Sequence, residues 1–540
     1  MTSQRMFWHL SWSESRTDSS NQRVSFMTLN HWVRLFEPFT SRTGSEIAVT
    51  VVCRLLASAL ILAVTVFVLR AATPFVISDA WFFVSTLIRP WQEGHLALAD
   101  FFVKRGSSDH MNPLYRLILL MHTAWFQMDF TVEGLIGVCF AIASVYLWYR
   151  LSRQALAERF QTVVLAELIG LGLTSIVFSL SASGVYDWPL VTLAFMGIFA
   201  VSVMFAAIPG LLRAHRLGAL ALVVLAVFLV DDTYGVLAVA SAVMLLSLLR
   251  IRGLLEPADW WRGVLALLVT AVAYTVTCHA LVPYYGAGQT SEPLWRPIVS
   301  LFAAHWRESW KLIAVPAWSV IVTPGQGIRI FKMAHWLAVL VSVIAACVVC
   351  AGHVWFWRNW LRRETNTLSF VAAGLMLFFY FTMGAFAMAR LPRFGFDYLS
   401  QPRYTQIYEL QLVAMMMMSA RVLADESSGR LHERLQVIVT VVLVGLAACY
   451  TTVAFHQIRF IQAFQVKLAT QIEQLASAPE TPPKDCLADY VTPCSHWSLA
   501  GRVAVLDTLE RGPYNVFSPV FRKRHRHQVP ASWRVPPLPR

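Results

Sequence analysis

Long stretches almost free of charge alternate along this chain with short breaks that carry arginine. Apolar runs fall at about 47–69, 132–149, 161–180, 189–208, 217–230, 234–249, 263–283, 334–357, 368–388, 404–420 and 436–456. Most approach 20 residues, the length a helix needs to cross about 30 Å of hydrocarbon. Within a bilayer only helices and closed barrels satisfy their own backbone, and unbroken runs of this length read as helices. The pattern therefore predicts an all-α polytopic membrane protein with about eleven transmembrane helices. A twelfth run, Leu114–Phe126, is shorter and carries Arg116 and His122. It reads as an interfacial helix that begins near Pro113, a residue suited to a first helical turn.

Charge orients these spans. With the N-terminus inside, the inner connections are 150–160, 209–216, 250–262, 358–367 and 421–435, and every one contains arginines. Counting Leu114–Phe126 as a span would move these basic connections outside, against the positive-inside rule. The outer side then carries a long loop (70–131), a short turn (Ser181–Trp188), a second long loop (284–333), the turn Arg390–Arg403 and the tail. Three segments follow: a cytoplasmic N-terminal segment (1–46), a transmembrane domain (47–456) and an outer C-terminal tail (457–540). The first 46 residues are polar, so the first span, not a cleaved signal peptide, is expected to direct insertion.

Composition agrees. The chain is 57% hydrophobic and 14% charged, too little charge to cover a soluble protein of 540 residues. A net charge of +13 would suggest nucleic acid in a soluble protein. Here the arginines flank spans, and membrane lipids are the expected partners, with no nucleic acid. Six of the eight cysteines lie within spans and read as packing residues. Cys486 and Cys494 share the tail, where a disulfide would suit an oxidising compartment. The basic run Phe521–Gln528 runs against an outer tail, but long tails cross regardless of charge, and the run is expected on anionic headgroups.

Candidate chemistry concentrates on the outer side. Asp79 stands just past the first span, beside Trp81, at the head of a loop that also holds Asp100, Lys104, Asp109 and His110. A carboxylate there can take the proton of an acceptor hydroxyl. Arg116 could meet a lipid phosphate at the headgroup level. Asp187 lies in the second outer turn and reads as acceptor-binding, or as a cap for the helix starting at Pro189. Asp231 and Asp232 form an adjacent pair with no histidine near them in sequence. The turn carrying Arg390, Arg393 and Arg403 gathers three arginines against the positive-inside trend, a reason to expect a phosphate clamp. The chain has no phosphate-binding glycine loop and no metal-ligand spacing of His or Cys. No metal or other cofactor is called for, although a divalent ion remains open.

Taken together, these residues resemble bacterial polytopic glycosyltransferases of the GT-C class, which use polyprenyl-phosphate sugar donors. The likeness runs through Asp79-Ala80-Trp81, Asp109-His110 to Arg116-Leu117, Phe178-Ser179-Leu180 with the turn to Trp188, and Arg390 with Arg403-Tyr404. Asp109 stands where the family has Glu, Met111 where it has Arg, and Pro402 where it has Ser. The resemblance implies interfacial helices in the first periplasmic loop, Asp79 as catalytic base, and Trp81, Asp109, His110, Arg116, Asp187, Arg390, Arg393, Arg403 and Tyr404 as substrate-binding residues. The expected partners are a polyprenyl-phosphate sugar donor and an envelope glycan or lipid acceptor. The expected place is the bacterial inner membrane, with the active site facing the periplasm. Two other readings stay open: a transporter or flippase of lipid-linked glycans, which would need ionisable groups deep in its spans, and a catalytically inactive membrane scaffold.

Overall fold

The computed structural model describes residues 44–104, 110–157, 163–282, 295–425, 429–483, 486, 491–494 and 497–530. The chain divides into two units, 1–48 and 49–540; of the first, only the opening residues of one helix are described. Among the described residues there is no strand.

The main helices are α1 (Gly44–Ala71), α2 (Pro113–Phe126), α3 (Phe130–Leu156), α4 (Val163–Val177), α5 (Phe195–Arg213), α6 (Leu217–Val230), α7 (Asp232–Ile251), α8 (Pro257–Leu281), α9 (His335–Arg362), α10 (Thr367–Ala389), α11 (Thr405–Leu423), α12 (Arg430–Ser477) and α13 (Leu499–Arg511). Their starts follow local chemistry. Asp129, Asp231 and Asn366 accept hydrogen bonds from the first turns of α3, α7 and α10, and proline opens α2 and α8.

Eight helices among the described residues are long and apolar enough to cross a membrane: α1, α3, the segment Pro189–Arg213 that ends in α5, α7, α8, α9, α10 and α12. The other three expected spans differ for identifiable reasons. The described part of α4 has 15 residues and starts directly after residues 158–162, which lie outside the described ones; α6 has 14 residues, about 21 Å of helix against the roughly 30 Å of a bilayer core. α11 is long enough, but it buries Gln406, Glu409 and Gln411 among its neighbours. It is a core helix, and Met416, Met417 and Met418 pack there away from lipid.

Small residues let the helices approach closely. A Cβ on Gly137 of α3 would lie 2.4 Å from the Thr192 carbonyl oxygen, so the backbone of 189–193 runs against α3 where only glycine fits.

The second feature of the fold is a layer built from the first outer loop and the tail. After α1 the chain runs through Ala80–Phe83, a π-helical turn (Val84–Ile88) and Arg89–Gln92 to α2. α2 is amphipathic and lies on α3. The Tyr115 hydroxyl donates to Glu133 Oε2 at 2.9 Å, and His122 Nε2 lies 3.2 Å from Glu133 Oε1. α12 spans 48 residues without a break, about 72 Å. It continues well past its apolar stretch and buries Gln465, Leu468, Ala469, Ile472 and Leu475 against this layer. Cys486 and Cys494 are bonded to each other.

The basic run of the tail is folded onto the loop instead of lying free. Arg524 Nη1 lies 2.7 Å from Asp129 Oδ2, and His525 Nε2 lies 2.9 Å from the same oxygen. Asn515 donates to the carbonyls of Pro74 and Met128, and Gln528 to Ala72 O and Gln465 Oε1. Loop and tail therefore occupy the same side of the membrane.

Candidate functional site

Connections distant in sequence, all expected on the outer side, converge on the short turn 181–188. The Thr73 amide donates to the Asp187 carbonyl at 2.8 Å. Gln326, from the second long outer loop, donates to Ser181 O at 2.6 Å. The segment Pro402–Tyr404 packs against Gly184–Asp187, and a Cβ on Gly184 would lie 2.9 Å from that of Pro402. Two of the motifs singled out in sequence, Asp187-Trp188 and Arg403-Tyr404, are thereby brought together.

Arg403 sits among aromatic rings. Its guanidinium carbon lies 5.7 Å from the Trp188 ring centre, 5.4 Å from Tyr398 and 5.2 Å from Tyr404, within cation–π range. One nitrogen donates to the Tyr398 hydroxyl at 2.8 Å. The rings fix the plane of the fork and leave its remaining donors for something else. Arg403 Nε, Trp188 Nε1 and Gln406 Oε1 are buried without a hydrogen-bond partner, an arrangement that calls for a ligand or water. Arg390 lies within electrostatic reach of Tyr404.

Asp187 supplies the opposite charge. Trp188, not Asp187, is the N-cap of the helix at Pro189. The Asp187 carboxyl has no hydrogen-bond partner among the described residues, and burial pushes its pKa up to about 7. The Glu409 carboxyl, buried near Tyr186, also lacks a hydrogen-bond partner among the described residues.

The remaining expected site residues divide. Ser78, immediately before Asp79, adopts a φ of 52°, unusual for a residue other than glycine and of the kind found where a neighbour is aimed. Its amide donates to Val491 O in the tail. Trp81 is buried and donates Nε1–H to the same carbonyl at 3.0 Å. It anchors the tail.

Arg116 is likewise fully buried. It donates to Thr86 Oγ1, Asp100 O and Val103 O at 2.9–3.1 Å and lies over the rings of Phe82 and Phe83. The lipid phosphate expected at Arg116 is replaced by loop carbonyls, because the loop folds over α2 and removes the guanidinium from solvent. Asp109 and the side chain of Arg393 lie outside the described residues.

His110 takes part in a cluster the sequence did not suggest. Its Nδ1 lies 3.4 Å from Asp231 Oδ1. The Met111 amide donates to Asp232 Oδ1 at 2.9 Å, and the Lys104 ammonium pairs with Asp232 Oδ2. A histidine does accompany the two adjacent carboxylates, supplied from 121 residues away. Ligand atoms of His110, Asp231 and Asp232 fall within 4.8 Å of one another, so these three residues could hold a divalent cation. Lys104 already supplies a positive charge there. His110 and the Tyr234 amide draw the Asp231 carboxyl below its usual pKa despite its burial.

Comparison with known proteins returns no match: no family model fits the chain, and no curated protein or solved structure is similar to it. The functional reading therefore rests on the chain's own residues.

Proposed function

We propose that this protein is a membrane glycosyltransferase of GT-C type. It moves a sugar from a polyprenyl-phosphate donor to an envelope glycan or lipid acceptor on the periplasmic side of a bacterial inner membrane. The observation that carries this reading is the pairing of a caged arginine, Arg403, whose donors are incompletely used, with the partnerless carboxyl of Asp187 on the adjoining turn.

In this reading the donor phosphate lies on Arg403 and Arg390. The acceptor hydroxyl oxygen attacks the anomeric carbon, the bond from that carbon to the phosphate oxygen breaks, and the phosphate leaves with the electron pair. The hydroxyl proton passes to a carboxylate. Asp187, with a pKa near the working pH, suits that transfer. Arginine forks stabilise the charge that builds on the leaving phosphate. Asp79 is the second carboxylate of the outer rim and stays in the proposal as the alternative base.

The test is mass spectrometry of envelope glycans from a deletion strain complemented with wild type, Asp79→Asn or Asp187→Asn. A glycan mass that returns with wild type and stays absent with Asp187→Asn supports the assignment and shows the sugar class. Full restoration by both variants overturns it.

Glu409 favours one other reading. A buried carboxyl without a partner in a core helix is the kind of group a transporter of lipid-linked glycans would use. A transporter deletion accumulates the complete lipid-linked glycan, whereas a transferase deletion leaves a glycan short by one sugar.

A further inference from the structure

Where the tail meets the membrane helices, a cavity of about 360 Å³ opens beside the ends of three elements. Arg70 at the end of α1, Gln462 on α12, Asp129 before α3, and Arg524, His525 and His527 of the tail supply its polar wall. The floor includes Leu69, Phe126 and Leu135. None of these residues belongs to the site around Asp187 and Arg403.

The charge in this cavity is unbalanced. Its one carboxylate, Asp129, already pairs with Arg524 and His525. Arg70 is exposed, and its guanidinium has no hydrogen-bond or ion-pair partner among the described residues; His527 lines the same wall. A guanidinium facing a cavity whose described carboxylate is already paired suits a phosphate oxygen pair.

The surroundings indicate which phosphate. Leu55, Leu62 and Leu69 of α1 are 65%, 63% and 51% exposed. Seven residues are close to two helical turns, so these three leucines form one stripe along the apolar span, and the stripe ends at the cavity. Phe126, which lines the cavity, and its neighbour Trp125 are both exposed, as aromatic side chains are at headgroup level.

We propose that this cavity binds the phosphate headgroup of an anionic membrane phospholipid, with an acyl chain along the leucine stripe of α1. The bound lipid would join α1, α12 and the tail, in addition to the direct hydrogen bond from Gln462 to Arg70 O at 3.0 Å.

The experiment uses the full chain in nanodiscs of phosphatidylcholine and phosphatidylglycerol in equal parts, with retained lipid counted by native mass spectrometry after extraction. Wild type is expected to retain phosphatidylglycerol over phosphatidylcholine. Arg70→Gln lowers that retention about fivefold, in line with one cation at an anionic surface, and Arg70→Lys restores most of it. Because the Arg70 side chain is exposed, all three proteins keep the same melting temperature in lipid-free detergent, where no bound lipid contributes to stability. Equal retention of the two lipids, or full retention by a folded Arg70→Gln protein, overturns the proposal. So does inorganic phosphate binding to the detergent-solubilised protein with the same Arg70 dependence while phosphatidylglycerol is not retained; that result would indicate a site for free phosphate.

Discussion

Two polar clusters of this protein differ in how completely their groups are matched. In the junction of loop and tail the ionic and amide groups that bridge the two segments are matched: Asp129 has Arg524 and His525, the Asn515 amide nitrogen has two carbonyls, and Gln528 has Gln465 and Ala72, while Asn515 Oδ1 and Thr131 Oγ1 stay buried and unbonded. Around the turn 181–188 the matching is incomplete: Asp187 and Glu409 have carboxyls without partners, and Arg403, Trp188 and Gln406 each keep a buried polar atom unbonded. A satisfied network fixes structure, whereas an unsatisfied one that the surrounding fold tolerates is kept for a ligand. Mutations should therefore cost stability in the first cluster and activity in the second.

The strongest attempt to break this contrast is Asp187→Asn. Transfer should fall by about 100-fold or more, with no loss of melting temperature. The wild-type rate should rise with pH through about 7, because the base acts in its deprotonated form. A rate flat across that range would separate Asp187 from proton transfer.

Arg116→Lys is next. A lysine cannot reach the Thr86, Asp100 and Val103 oxygens together, so unfolding free energy should drop by about 2–3 kcal/mol. The surviving folded fraction should transfer sugar at the wild-type rate, as measured by activity per folded protein.

Asp129→Asn should cost about 2 kcal/mol, read as earlier proteolytic release of the tail. Burial raises the Asp129 carboxyl, but His525 and Arg524 outweigh it and hold the pKa below the ordinary value of 3.8. The contribution is therefore complete above pH 4 and is lost as pH falls through the lowered folded value. Tail release on acidification, followed by the same proteolysis, should be blunted in Asp129→Asn.

The smallest effect is expected of Arg403→Lys, about tenfold in transfer at unchanged stability, since a lysine keeps the charge but loses the fork held by the three rings.

Much of the helical framework was legible because burial in lipid writes itself locally. The run 217–230 coincides with α6, and the interfacial helix expected at Leu114–Phe126 begins one residue earlier, at Pro113. The extension of α12 also left a signal that went unread: Gln465, Leu468, Ala469, Ile472 and Leu475 follow the three-and-four spacing of an amphipathic helix. The pairings that decide roles left none. His110 meets Asp231 across 121 residues, and Arg524 meets Asp129 across 395. Arg116 looked like a surface cation because its three acceptors are a hydroxyl and two carbonyls from the preceding loop, groups any sequence would supply. Arg403 drew attention because three arginines on the expected outer side break a pattern that the other connections follow, and the structure places it among the rings of Trp188, Tyr398 and Tyr404.

The bond from Trp81 to Val491 has a consequence in time. Its two ends are 410 residues apart. At roughly 5–20 residues per second, the ribosome needs on the order of 20–80 s to make the second after the first. Throughout that interval Phe75, Trp81 and Phe83 have emerged without the tail that packs against them, so the nascent protein presents an aromatic surface that a chaperone or the bilayer itself must shelter. A chain stopped before Val491 would stay in that state permanently and become a substrate for quality-control proteolysis, even with every membrane helix in place.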